Sequence, residues 1–171
     1  LTPQYAGLEA MHERLAPHPR VVAIGETGLD YYYNHSPKHA QREAFARFID
    51  LARRVNKPVV CHIRDAHEEA RELLIAHRAI ELGVVIHCFT GTREELNAYL
   101  EMGLHIGITG WICDERRGMH LREFVKEIPA DRLMIETDGP FLLPRTMPTK
   151  PKDGRNEPAF LPYVLQTVAG C

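Results

Sequence analysis

At 171 residues, 44% hydrophobic and 26% charged, the chain has the make-up of one globular domain, 1–171, with room for a sizeable core. Its formal net charge of −2 excludes nucleic-acid binding by bulk positive charge, so any phosphate contact must come from a local patch. No apolar run reaches a membrane-span length and no signal pattern is present, which leads us to expect a cytoplasmic protein, or a nuclear one in a eukaryote.

The chain opens on Leu1 rather than Met, the mark of a fragment, a processed product or a trimmed chain. Its four cysteines, Cys61, Cys88, Cys113 and Cys171, form no CxxC pair and predict free thiols in a reducing compartment. Ten histidines are the one compositional hint of chemistry.

An amphipathic helix is predicted around residues 5–15, ended by Pro17 and Pro19. A strand over 21–26 follows, where an apolar run meets Gly25 and then Glu26. After the loop YYYNHSP, Ser36 as N-cap and Pro37 at the first helical position open a helix that runs to Asn56. Phe45, Phe48, Ile49, Ala52 and Val55 share its buried face. A strand over 59–63 leads to Asp65 and Glu68, which have the spacing of a capping box, with a helix to about Leu82 ended by Gly83. A strand over 84–88 precedes a second box, Thr92 with Glu95, whose helix stops at Met102-Gly103. Then come a strand over 105–109, the loop GWICDERRG and a short helix over 120–128. A strand over 133–137, a proline-rich basic loop over 144–156 and a helix over about 158–168 complete the order.

Strand and helix therefore alternate five times, which predicts right-handed crossovers and a parallel sheet of the α/β class. An open doubly wound sheet and a (β/α)8 barrel both fit, and both place function at the C-terminal strand ends. Glu26, His62, His87 and Asp138 fall there. Two imidazoles and two carboxylates suit zinc, manganese, iron, cobalt or, with water completing the shell, magnesium, as one ion or two. Such an ion acidifies bound water, and Asp138 is placed both to touch metal and to take the water's proton. The remaining histidines are read as structural or, for His67 and others in polar contexts, solvated.

Arg64 suits a phosphate at the mouth of the site, or an ion pair with Asp65, the helix cap. Trp111 with Arg116 and Arg117 is suited to stack a base and grip a phosphodiester, or is a charge run neutralised by Asp114 and Glu115. Lys150 and Lys152 make 145–155 a basic rim or an ordinary loop. Cys113, without a second thiol nearby, is structural. No GxSxG, P-loop or GxGxxG fingerprint is present.

The stretches GETGLDYYYN, HIRDA, HCFTG, IGITGWICDERRG, ETDGPFLLPR and GRNEP resemble the TatD family of metal-dependent deoxyribonucleases, from about Val21 onward. WICDERRG resembles the TatD branch in particular. The resemblance implies a TIM barrel of the amidohydrolase superfamily and phosphodiester hydrolysis in DNA by metal-activated water. It also implies 3′→5′ exonuclease action on single strands, in DNA repair or in DNA degradation during cell death. Carried over, Glu26 would bridge two metals, His62 and His87 would bind one, and Asp138 would bind the other and assist the water. Magnesium is the first expectation, with manganese or zinc as alternatives.

The family barrel begins with strands that precede GETGLD, the first often carrying a His-x-His pair, and these have no counterpart here. About five of eight βα units are present and the terminal helix is short. The expectation is a partial barrel with unpaired sheet edges, prone to self-association where the intact fold is monomeric. Two other functions stay open: hydrolysis of a small cyclic amide or ester, and a non-catalytic barrel fragment that binds metal or DNA, or neither.

Overall fold

The computed structural model describes residues 10–171. Residues 5–9 of the helix predicted over 5–15 therefore lie outside the described residues, and 10–15 are helical (α1). The chain divides into two compact units, Leu1–Val85 and Ile86–Cys171.

In the first unit, β1 (Ile24–Asp30) pairs in parallel with β2 (Val59–Arg64), with Gly28 opposite His62 and Asp30 opposite Arg64. The strand begins later than predicted and runs through GETGLD, so Glu26 lies inside β1 rather than at its end. Val22 explains the misplacement, because it is 78% exposed and contributes nothing to a core. Nor do the glycines break the strand; they let the backbones approach. A Cβ at Gly28 would sit 1.9 Å from the His62 carbonyl oxygen, and one at Gly25 would sit 2.5 Å from that of Val60.

The helix α2 (Lys38–Val55) buries Phe45, Ile49 and Ala52 as its spacing predicts, and Leu51 as well. Phe48 and Val55 are only half-buried. It ends at Asn56, whose left-handed backbone (φ 53°) returns its N–H to the last turn. Ser36 does not cap it; the N-cap is Pro37 without a side-chain bond. Instead, the Gln41 amide donates to the Ser36 and Asp30 carbonyls (2.8 and 3.1 Å), and its oxygen accepts the Asp30 N–H (2.8 Å). A side chain one turn into α2 thus ties the helix to the end of β1.

The capping box predicted at Asp65 does not form. The helix α3 (His67–Ala76) is capped at Ala66 with no side-chain bond, and Asp65 has a left-handed backbone (φ 52°). It also stops short of Leu82, because Arg78 turns left-handed and the chain continues as a 3₁₀ turn, Ala79–Leu82, ending at Gly83.

The strand β3 (Val84–His87) begins in the first unit and ends in the second. In the second unit Thr92 and Glu95 form both bonds of the predicted capping box on α4 (Arg93–Glu101). The next strand, β4 (His105–Ile108), pairs in parallel with β5 (Leu133–Ile135), with Gly107 opposite Met134. Ile106 and Ile108 are buried. The strand predicted to Thr137 stops at Ile135, although the Glu136 N–H still reaches the Ile108 carbonyl at 3.0 Å. Helices α5 (Met119–Phe124) and α6 (Leu161–Ala169) sit near their predicted places, each joined to a 3₁₀ turn.

The strand order is β1-β2-β3-β4-β5. It contains no reversal, the feature that defines a doubly wound sheet, and matches the wall of a (β/α)8 barrel. Among the described residues, no helix is long and apolar enough to cross a membrane.

Candidate functional site

Gly28 and Asp30 share a face as alternate residues of one strand, and Glu26 reaches the same ring beside a register shift between Ile24 and Thr27. The register sets His62 opposite Gly28, between the two carboxylates. Its Nδ1 lies 2.9 Å from Glu26 Oε1 and its Nε2 3.0 Å from Asp30 Oδ2. Glu26 chiefly, with Asp30 adding, raises the His62 pKa against the opposing effect of burial. Burial pushes Asp30 up, but bonds from the Tyr33 N–H and the His62 ring outweigh it and hold its pKa down. Beside this group the Arg64 guanidinium lies over the Tyr32 ring at 4.1 Å and 5.5 Å from that of Tyr33.

The second unit repeats the pattern. His87 ends β3, its Nδ1 2.7 Å from Glu136 Oε2 and its Nε2 3.2 Å from Asp138 Oδ1. The Cys88 N–H donates to Glu136 Oε1 at 2.6 Å. Asp138 has a left-handed backbone (φ 58°) in a loop clamped by the buried Asn156. The Asn156 amide donates to the carbonyls of Thr137 (2.7 Å) and Phe141 (2.8 Å), and its oxygen accepts the Glu157 N–H (2.9 Å).

Each imidazole thus has a carboxylate at both nitrogens. Because those nitrogens face apart, the donors oppose one another across the ring rather than converging. Among the described residues, no three His, Cys, Asp or Glu side chains are grouped to hold a metal as they stand. The chemistry still fits: each pair, Glu26 with His62 and Asp138 with His87, joins an imidazole nitrogen to a hard oxygen. Asp30 and Glu136 occupy the other ring nitrogen, where an outer carboxylate orients a metal-binding histidine. Sequence alone singles out neither of these two residues, nor Asn156. Asp30 carries a local signal, lying in the same strand as Glu26, whereas Glu136 carries none, because β5 ends at Ile135.

Trp111, Arg116 and Arg117 come together around Asp114. The Thr109 hydroxyl caps a 3₁₀ turn, Gly110–Cys113, and leaves Asp114 with a side chain only 3% exposed. Arg116 donates to it from its backbone N–H (3.0 Å), Nε (2.9 Å) and Nη2 (2.7 Å), and Arg117 from its Nε (3.0 Å). The Arg117 guanidinium lies 4.1 Å over the Trp111 ring. Arg145 pairs with Glu115 at 2.7 Å and lies 3.6 Å from Asp114. Hydrogen bonds from Arg116 hold the Asp114 carboxyl far below its ordinary range, and Arg145 holds Glu115 at about 2. Cys113 Sγ lies 3.3 Å from the Thr167 hydroxyl, the structural role expected of it. His67 is not solvated as expected; only 11% of its side chain is exposed.

The family model described as TatD related DNase matches residues 3–171. The protein called 3′-5′ ssDNA/RNA exonuclease TatD of Rahnella sp. (strain Y9602) is 55% identical over 164 residues, covering 96% of this chain and 62% of that protein. Its namesake from Escherichia coli (strain K12) is 52% identical over 166 residues, covering 97% and 64%. The chain therefore spans less than two thirds of these relatives' length. A TatD family hydrolase from Entamoeba histolytica superposes with a TM-score of 0.82 at 28% identity, over 99% of this chain and 62% of that one. A TatD homologue from Escherichia coli K12 superposes with a TM-score of 0.72 at 26% identity, over 95% and 67%. The five sequential βα units are accordingly part of a TIM barrel of the metal-dependent hydrolase type. By its sequence and its fold, the chain belongs to the TatD-related DNase family.

Proposed function

We propose that this chain carries the metal-dependent hydrolysis of phosphodiester bonds in single-stranded DNA, acting as a 3′→5′ exonuclease. The observation that carries the proposal is the doubled arrangement of a histidine between two carboxylates, His62 with Glu26 and Asp30, and His87 with Asp138 and Glu136. Glu26, His62, His87 and Asp138 are the proposed ligands of one or two divalent cations, magnesium first, with manganese or zinc as alternatives. A cation held there supplies a Lewis acid for the phosphoryl oxygen and lowers the pKa of its water. Asp30 and Glu136 keep the two rings turned toward their ligand positions. Asp138 is the base that takes the proton of the attacking water. Arg116 and Arg117 hold the phosphate, Trp111 stacks a base, and Arg64 adds a further cation. The relatives are named for single-stranded DNA and RNA, and we extend both substrates to this chain. We place the protein in the cytoplasm, as a monomer in its intact form.

The test compares 5′- and 3′-labelled single-stranded oligonucleotides, with magnesium, manganese or zinc against EDTA. Shortening from the 3′ end, with Glu26→Gln and Asp138→Asn inactive but still binding DNA, is the expected result. Full activity in both variants would overturn the assignment.

A further inference from the structure

We propose that the cavity beside Asp114 binds a phosphomonoester, and does so without the metal ligands. The cavity, of about 240 Å³, is lined by Asp114, Arg116, Arg117, Arg145, Lys150 and a wall at Leu142. Ordinary small-molecule sites run from roughly 300 to 1,000 Å³, so this one suits a phosphate with part of its sugar rather than a stretch of strand.

Charge selects the ligand. Four cations, Arg116, Arg117, Arg145 and Lys150, share two carboxylates, Asp114 and Glu115. An excess of two positive charges remains. A phosphomonoester carries about −1.5 to −2 near neutral pH, whereas a diester carries a single charge. The cluster therefore matches the end of a phosphorylated chain or a free mononucleotide better than an internal linkage.

The donors are available and already aimed. A guanidinium has five N–H groups in a rigid fork. Arg117 spends only its Nε on Asp114, and Arg116 only its Nε and Nη2, so among the described residues both Arg117 terminal nitrogens and Arg116 Nη1 remain for a ligand. Both side chains are at least half exposed (59% and 50%), while Asp114 beneath them is buried. Asp114 thus orders the guanidinium groups before any ligand arrives, which lowers the entropy cost of binding.

The wall is fixed as well. A Cβ at Gly110 would lie 2.0 Å from the Leu142 carbonyl oxygen, so the turn and the wall meet backbone to backbone. Leu142 is held in the left-handed region (φ 54°), a costly conformation for a large side chain and one that persists where surrounding contacts impose it. The same loop carries Asp138 a few residues earlier.

The nuclease reading supplies the biological source of the phosphate; the binding chemistry does not rest on it. The test therefore uses the metal-free chain in EDTA, with calorimetric titration of inorganic phosphate, a deoxynucleoside 5′-monophosphate and the matching deoxynucleoside. Phosphate and the mononucleotide should bind and the nucleoside should not. Arg117→Ala should weaken binding about tenfold and Lys150→Ala severalfold, with unchanged circular dichroism, because both side chains stand in solvent. Asp138→Asn should bind phosphate as the parent does, even if it abolishes hydrolysis, which separates this proposal from the nuclease reading. Oligonucleotides with and without a 5′-phosphate identify the source. Tighter binding of the phosphorylated strand assigns the strand end, and binding of the mononucleotide alone assigns a released product. Equal binding of nucleoside and mononucleotide, or parental phosphate affinity in both Arg117→Ala and Lys150→Ala, overturns the proposal.

Discussion

Glu136 secures His87 and the end of its strand together. Its Oε2 lies 2.7 Å from the ring Nδ1 while its Oε1 accepts the Cys88 N–H at 2.6 Å. Space for this carboxylate comes from the neighbouring strand, because a Cβ at Gly107 would lie 2.1 Å from Glu136 Oε1. Glu136→Ala should weaken divalent-metal binding about 10–100-fold, the usual cost of losing an outer partner of a histidine ligand. Gly107→Ala should have the same effect with Glu136 still present, since the carboxylate is the flexible end of its chain and moves before the strand does. Competition titration against a metal indicator reads both variants, and parental affinity in both would show that Glu136 does not position the ring.

Gly28 and Gly103 share a positive φ (155° and 75°) and differ in the space around them. At Gly28 an added Cβ meets the His62 carbonyl at 1.9 Å, backbone against backbone, whereas at Gly103 it meets nothing within 4 Å. Gly28→Ala should cost about 3 kcal/mol, as overpacking does where neither side yields. Gly103→Ala should cost about 1 kcal/mol, for its left-handed backbone (φ 75°) alone. Urea midpoints of the two variants check the order, and equal losses would remove the close-approach account of β1.

Asn156 reaches the Asp138 loop from a distant part of the sequence. Replacing it with Ala leaves the Thr137 and Phe141 carbonyls without their donor. A loss of about 1 kcal/mol follows from the missing hydrogen bonds, since Thr137 is half-buried and Phe141 exposed. Hydrogen exchange should quicken across residues 136–142 more than in α4. Uniform protection in the variant would mean that the clamp does not hold the loop.

Asp114 links this family of contacts to acid stability. Its pKa and that of Glu115 are depressed in the folded chain, by Arg116 and Arg145 respectively. A depressed carboxylate contributes stability above its unfolded pKa, near 4, and loses that contribution as pH falls toward the folded value. The parent should therefore lose melting temperature between about pH 4 and pH 2 more steeply than Asp114→Asn. At pH 7 the variant should be weaker by about 1–3 kcal/mol, reduced from a fully buried pair because the arginines stand half in water. Parallel melting curves across that acid range would contradict the coupling.

Local signals carried far along the backbone. The apolar spacing of Phe45, Ile49 and Ala52 marked α2, and the Thr92–Glu95 pair marked the start of α4, because both depend on residues within a turn of one another. The same rules misplaced β1 and gave α3 a cap that it lacks. In β1 the outcome depends on a partner elsewhere, since Gly25 and Gly28 stay in a strand with β2 packed against them; Asp65 takes a left-handed backbone instead of capping.

The sequence by itself determined the α/β order and the family, and it singled out Glu26, His62, His87 and Asp138 as the ligands proposed above, since these follow from composition and short motifs. Only the tertiary structure decided who faces whom. Strand register placed His62 between Glu26 and Asp30, the missing side chain of Gly107 admitted Glu136 to His87, and the burial of Asp114 turned a run of mixed charge into an ordered cluster of arginines. The physical reason is that a hydrogen bond or an ion pair is set by distances between segments far apart in the chain, which no local pattern of residues records.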